Sequence, residues 1–457
     1  VTAPTLQPRP VPGPVPAWSF PAGVPGRVPS GPETLRVDLP GRRLASVRLV
    51  LAAGAGRESA GSEGVATLTA RALLEGTRPG GGTELTAAFE RLGASLFASA
   101  DLTALRVALD VPVTRLEPAL ELFSTVVRSA ALDDADVRRV VRERLEEIGQ
   151  EDADPGTRAM RELRAVLFPA ESRAHLPTGG TRESIGSLGG ADVRSFYGSV
   201  SPAEATAVLA GDLTGVDAEA ALTASLAGWS TPGPGLPVAD EILPVNGPRI
   251  VIVDRPGSVQ TYLSLGHGVP DRTSDAWPLL TVAAHVLGGG LTSRLNAVLR
   301  EEKGYTYGVR AGLLRMRGRG VFLAQGSVHT EVTGDAVADA LAGLRSIQAD
   351  GIAEDEAAAS VRALADRAPA EYETARSVAA ELADTTAAGL GPTYPTRYLS
   401  AVRAATPTSV ADAYTTHIDT DALTIIAVGD AKQIRGPLES LGYAPVTITD
   451  PGAKETD

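Results

Sequence analysis

Arg300 and Tyr307 stand either side of Gly304 in LREEKGYTYG, with six residues between them. A guanidinium and a phenol both donate hydrogen bonds. Held at one point, they can bind a peptide carbonyl and the oxyanion that develops from it. Arg300 is expected near the end of a helix that Gly304 terminates, since glycine takes the left-handed conformation a helix stop requires. Tyr307 then enters an extended segment, Tyr305 to Gly312, and the two tips can converge. The remaining chemistry-bearing residues form no comparable set. The five histidines, His175, His267, His285, His329 and His417, never fall within four residues of one another, so no helical turn offers a metal two imidazoles. No G-x-S-x-G elbow, Walker phosphate loop or G-x-G-x-x-G run is present. The chain has no cysteine, which excludes disulfides, thiol catalysis, iron–sulfur clusters and zinc knuckles.

The elements that would position such a pair come in two similar halves. Ten of the first 32 residues are proline, so residues 1–32 read as an extended N-terminal arm. Five prolines between Trp229 and Arg249 mark a linker, residues 229–248. It separates a first domain, 33–228, from a second, 249–445, and residues 446–457 read as a C-terminal tail. VRSFYGSVSPAEATAVLAGD from Val193 and VADAYTTHIDTDALTIIAVGD from Val410 share one plan. Each is a short helix ending near a tyrosine (Tyr197, Tyr414), then a turn, an apolar strand and Gly-Asp. Long helical stretches precede them, Leu116 to Glu151 and Glu331 to Ala388, with apolar residues at three- and four-residue spacing. Strands open each half, at Ala45 to Ala53 and at Arg249 to Val253 with Thr261 to Gly266. Strands and helices mix without βαβ alternation, which predicts an α+β fold of two homologous domains, each a mainly antiparallel sheet packed with helices.

Composition sets limits. Hydrophobic residues make up 43% and charged residues 21% of the 457, as in a globular protein. The formal net charge of −13 argues against nucleic acid and anionic membranes as partners. No uncharged apolar run reaches spanning length, so no membrane association is expected. No secretory signal is visible, and a cytoplasmic location is expected.

Gly64 to Thr77, GVATLTARALLEGT, places Val65, Leu68, Ala72 and Leu73 on one helical face, with Gly76 suited to the left-handed position after the last turn. The stretch resembles the signature helix of the pitrilysin and mitochondrial processing peptidase family, the inverzincins, whose pattern is H-x-x-E-H. Gly64-Val65-Ala66 before it and Gly76-Thr77 after it match the family's frame. The resemblance puts the ligand positions on Thr67, Ala70 and Arg71. Zinc hydrolysis needs two imidazoles one turn apart and a carboxylate between them. Here there are a hydroxyl, a methyl and a fixed cation. The family's third ligand, a glutamate about 76 residues on, falls on Glu147. With one ligand of three retained, no zinc is expected, and Glu147 becomes a surface helix residue or a partner for Arg71.

Leu287 to Val309, LGGGLTSRLNAVLREEKGYTYGV, is similar to the family's second-domain motif, and Arg300 and Tyr307 match its arginine and tyrosine. Asp254-Arg255-Pro256-Gly257 with Gln260 resembles its entry strand. The internal repeat supplies a control: aligning Gly93 with Gly304 sets Phe89 opposite Arg300 and Leu96 opposite Tyr307. The resemblance covers roughly Glu33 to Leu441. It implies that the chain forms half of a clamshell and is the zinc-less subunit of a heterodimer. The partner would be a homologous H-x-x-E-H subunit that carries the zinc, and Arg300 and Tyr307 would complete its active site on a peptide bound as an added strand. The alternative is an inert scaffold or peptide-binding protein that kept the fold.

Overall fold

The central strands are apolar on both faces. Thr206–Gly211, Arg249–Asp254 and Thr424–Gly429 carry near-continuous aliphatic residues, the pattern of strands covered from both sides. In the computed structural model, which describes residues 18–78, 80–231, 233–237 and 242–449, they lie within two six-stranded sheets. The first runs Val24–Arg27, Glu33–Asp38, Thr206–Gly211, Leu44–Leu51, Leu105–Pro112, Ser95–Ala100. The second, from the corresponding side, runs Val446–Thr449, Arg249–Asp254, Thr424–Gly429, Gln260–Val269, Arg319–His329, Arg310–Met316. Glu33–Asp38 and Thr206–Gly211 pair parallel, as do Arg249–Asp254 and Thr424–Gly429. Val446–Thr449 is also parallel to its neighbour, and the remaining pairs are antiparallel.

The repeat extends to single hydrogen bonds. The Tyr197 hydroxyl donates to the Val127 carbonyl at 2.6 Å, and the Tyr414 hydroxyl to the Leu344 carbonyl at 3.1 Å; both bonds span 70 residues. Each tyrosine is buried and ties its short helix to the long helix before it. The Gly-Asp ends match as well. Asp38 accepts from the Leu213 N–H while Asp212 accepts from Gly41, both at 2.9 Å. Asp254 accepts from Ala431 while Asp430 accepts from Gly257, both at 3.0 Å. These crossed pairs fasten the parallel strands at one end.

Each half lends a helix to the other. Ala375–Ala387 sets Val378, Ala379, Leu382 and Ala383 on the first sheet, against Leu35, Val37, Val50 and Val208. Pro155–Leu167 sets Ala159, Leu163 and Leu167 on the second sheet, against Val251, Val253, Leu323 and Ile426. A Cβ on Gly266 would lie 2.8 Å from the Leu163 methyl groups, so glycine there admits the helix. The other face of each sheet packs on its own half's helices.

The ends of the fold differ from the sequence reading. Within the expected arm, Trp18 stacks on Tyr372 at 6.0 Å, Phe20 meets the same ring edge-on at 4.9 Å, and Val24–Arg27 pairs with Glu33–Asp38. Pro25 is tolerated because an edge strand has a side that needs no N–H. Within the expected tail, Val446–Thr449 is a strand beside Arg249–Asp254. Both corrections have one cause: a strand buried on both faces needs a neighbour to satisfy its backbone. Residues 1–17 of the arm, 450–457 of the tail, and 232 and 238–241 of the linker lie outside the described residues. Among the described residues, no helix is long and apolar enough to cross a membrane.

Candidate functional site

The helix that carries Thr67, Ala70 and Arg71 spans Val65–Ala72 and is shorter than expected. It stops before Gly76, which instead pairs with Gly81 in a two-residue strand. Its start is strongly built. Gly64 has φ +96, and the buried Glu58 carboxylate accepts from the Gly64 and Ala66 N–H groups at 3.0 and 2.9 Å, neutralising the positive end of the helix. Arg173 donates to Glu58 at 2.8 Å from the other side.

Arg71 reaches across to Glu147 on the long helix Asp134–Ala153, donating to both carboxylate oxygens at 2.9 and 2.6 Å. The expected partnership of these two residues is present. The Arg71 bonds hold the Glu147 carboxyl below its usual range, and Arg144, donating at 3.2 Å, adds to this. Arg144 also forks onto Glu151 at 2.5 and 2.9 Å. Sequence reading missed Arg144 and Glu151, although their positions three before and four after Glu147 put all three on one helix face. Thr67 makes only a long contact, 3.5 Å, from its hydroxyl to the Thr178 carbonyl, and Ala70 is buried. This donor set does not fit zinc: both oxygens of the one carboxylate are taken by a guanidinium that cannot deprotonate, and the other positions offer a hydroxyl and a methyl. Among the described residues, no three His, Asp, Glu or Cys side chains gather where a metal could be held.

Arg300 and Tyr307 lie in the second half. The helix beginning at Arg294 turns into a π-helical stretch, Ala297–Glu302, that carries Arg300. Gly304, with φ +65, ends it as expected; Gly93 in the first half has the same φ. Tyr307 does not enter a strand directly, because the edge strand begins only at Arg310. It sits in a bend closed by the Thr306 hydroxyl, which accepts from the Gly308 N–H at 3.0 Å. The loop is pinned at both ends. The Tyr305 N–H donates to the Leu299 carbonyl at 2.8 Å, and the His329 N–H to the Tyr305 carbonyl at 3.2 Å. The buried Asn296 amide donates to the Val309 carbonyl and accepts from the Val309 N–H, both at 2.9 Å. Asn296 was not singled out in the sequence, yet it turns the chain away from the sheet at Tyr307.

Tyr307 is 88% exposed, unusual for an aromatic ring on a pinned loop. Arg300 is one-third exposed and donates to Glu301 at 2.6 Å. Among the described residues no hydrogen bond joins Arg300 to Tyr307, and Arg300 donates instead to its neighbour Glu301. In the first half the matching positions are apolar: Phe89 is buried, and Leu96 lies within the strand Ser95–Ala100.

Comparison with known proteins decides the lineage. The model of the insulinase family, peptidase family M16, matches residues 34–171, and that of the peptidase M16 inactive domain matches residues 187–364. The chain belongs to the M16 peptidase family. Among its relatives is an uncharacterized zinc protease of Mycobacterium tuberculosis, 29% identical over 334 residues, which are 72% of this chain and 75% of the relative. Another, from Mycobacterium leprae, is 26% identical over 72% of this chain and 74% of its own. The M16 fold recurs in solved structures. A peptidase M16 inactive domain from Pseudomonas fluorescens aligns with a TM-score of 0.82 at 24% identity, over 89% of this chain and 98% of that one. A protease from Helicobacter pylori aligns at 0.83 and 17%, over 90% and 100%. A chain of complex III2 from Candida albicans aligns at 0.75 and 15%, over 92% and 99%.

Proposed function

We propose that this M16 chain is the zinc-less subunit of a two-chain metallopeptidase, and that Arg300 and Tyr307 act on peptide held at a partner's H-x-x-E-H site. The observation that carries the reading is the Arg71 fork on Glu147, which spends the one remaining ligand carboxylate on an ion pair. A chain built this way has no route of its own to an activated water. What it retains is the pair of donors on the second half. The Tyr307 ring projects into solvent from a pinned loop, which suits a group whose partner arrives on another chain. There the guanidinium and the phenol would donate to the substrate carbonyl and strengthen as it becomes an oxyanion. Peptide would be held largely through its main chain, by strand addition, so short unfolded segments and leader peptides are the fitting substrates.

The test is reconstitution. The chain alone should not cleave peptides, and co-expression with an H-x-x-E-H homologue should give activity. Arg300→Ala and Tyr307→Phe should each lower turnover about 10²-fold, the loss typical of one oxyanion donor. Unchanged turnover in both variants refutes the role. A second reading, an inert scaffold, is favoured by the likeness to a chain of complex III2. It predicts full partner activity with both variants, or no cleaving partner at all.

A further inference from the structure

A cleft of about 480 Å³ opens between the two halves, within the size range of small-ligand sites. One wall is first-half: Arg144 and Glu151 of the long helix, Gly156 to Arg164 of the exchanged helix, and Pro177 to Gly179. The other wall is Tyr262 and Gln325 of the second sheet. Most charges in this lining are matched. Glu151 is held by Arg144, Arg161 donates to Asp152 at 2.6 Å, and Asp154 caps the exchanged helix by accepting from the Thr157 N–H at 2.7 Å.

Arg164 is the exception. Its Nε donates to the Ala174 carbonyl at 2.9 Å and its Nη1 makes a long 3.4 Å bond to the Thr178 hydroxyl. Its Nη2 is shielded from solvent with no hydrogen-bond partner. Its charged neighbours are Arg173 and Arg319, both cations, and burial with their repulsion lowers its pKa to about 10. A partly buried guanidinium with one nitrogen shielded from solvent and no facing carboxylate is costly unless something supplies the missing charge. Two hydroxyls at the cleft are free to donate. Thr178 Oγ1 receives Arg164, which leaves its own proton available, and the Tyr262 hydroxyl has no hydrogen-bond partner among the described residues.

We propose that this cleft binds a carboxylate of a captured peptide, taken by the hydroxyls of Thr178 and Tyr262 and balanced by the charge of Arg164. The inference rests on the reading of the chain as a peptide-handling subunit. The cleft adjoins the degenerate ligand helix, since the Thr178 carbonyl that bounds it is the one Thr67 contacts. The carboxylate can come from a peptide C-terminus or from an acidic side chain, and Arg164 is a positioning residue outside the Arg300 and Tyr307 pair.

Fluorescence anisotropy on the full chain tests it, with labelled peptides of one sequence in two matched pairs. One pair ends in a free carboxylate or an amide; the other is amidated and carries an internal glutamate or glutamine. The acid member of at least one pair should bind about tenfold tighter, the worth of one charge-assisted hydrogen bond. Whichever pair discriminates names the source of the carboxylate. Arg164→Met should erase the discrimination while leaving the neutral peptide's affinity in place. Tyr262→Phe, which removes a hydroxyl without touching Arg164, and Thr178→Val, which also removes the long acceptor contact of Arg164 Nη1, should each reduce it and serve if the arginine variant misfolds. Equal affinity within both pairs, no binding of any peptide, or discrimination intact in every variant that folds overturns the proposal. Discrimination without partner-dependent peptidase activity leaves the cleft standing and removes the subunit reading, and the reverse outcome removes the cleft alone.

Discussion

Phe89 in the first half and Arg300 in the second occupy the same place in the repeat, each two residues before the end of its helical stretch. Gly93 and Gly304 follow at the same distance and share φ +65. Beyond them the copies part. The first half runs straight into the strand Ser95–Ala100, whose side chains alternate between exposed and half-buried, with Leu96 half-buried, whereas the second loops out beside Asn296 and leaves Tyr307 in water. Packing alone does not require the second form, because the first shows that the same frame closes well with apolar residues. The opposite asymmetry holds at the helix Val65–Ala72, where the first half closes its polar positions on each other as a partly exposed Arg71–Glu147 pair. One half pairs its polar groups across two helices, and the other leaves an exposed phenol at Tyr307.

Four measurements sharpen or break that comparison. The largest expected effect is in the exchanged helices, where the halves should be alike. Leu163→Ala and Leu382→Ala each remove a fully buried side chain from a helix seated on the opposite sheet, and each should cost about 2–5 kcal/mol in denaturant unfolding. A cost confined to one of them would break the symmetry. Next, the donors should be unlike. Arg300→Phe, which copies the first half, should lower partner-dependent turnover about 10²-fold with little change in unfolding midpoint, and a large stability change instead would make Arg300 a packing residue. Then come the two tyrosine locks. Tyr197→Phe and Tyr414→Phe should each destabilise by about 1–3 kcal/mol, since each strands a buried carbonyl, and the two values should agree.

The smallest effect belongs to the ion pair. Arg71 and Glu147 are about a third and two-fifths exposed, so a double-mutant cycle with Arg71→Met and Glu147→Gln should give a coupling of at most about 1 kcal/mol. Its pH dependence follows from sign. The folded Glu147 carboxyl titrates below its unfolded value, so the coupling is complete above the ordinary carboxylate range and is lost as pH falls through the lower folded value. Native chain and Arg71→Met should therefore converge in acid. A coupling that persists there would point to packing of the Arg71 stem rather than charge.

Much of this was legible before any coordinate. The duplication, the tyrosines, the Gly-Asp ends and the Arg71 to Glu147 spacing are local patterns or fixed separations, which a chain carries in its order. The edge strands at Val24–Arg27 and Val446–Thr449 were missed, because proline content and polarity describe a segment's own preference and not the hydrogen-bond demand of the strand beside it. Asn296 was missed for a related reason: one polar residue inside an apolar helix gains its meaning only from the carbonyl it meets thirteen residues later.

The sequence by itself determined the two-half plan, because repeated residue types at fixed spacing suffice for that, and a resemblance to one family singled out Thr67, Ala70, Arg71, Arg300 and Tyr307. Only the tertiary structure decided that Arg71 takes both oxygens of Glu147, that each half covers the other's sheet, and that Arg164 faces the interdomain cleft without a counter-charge. Those facts depend on which surfaces meet across hundreds of residues, and burial assigns a charge its cost only after the surfaces have met.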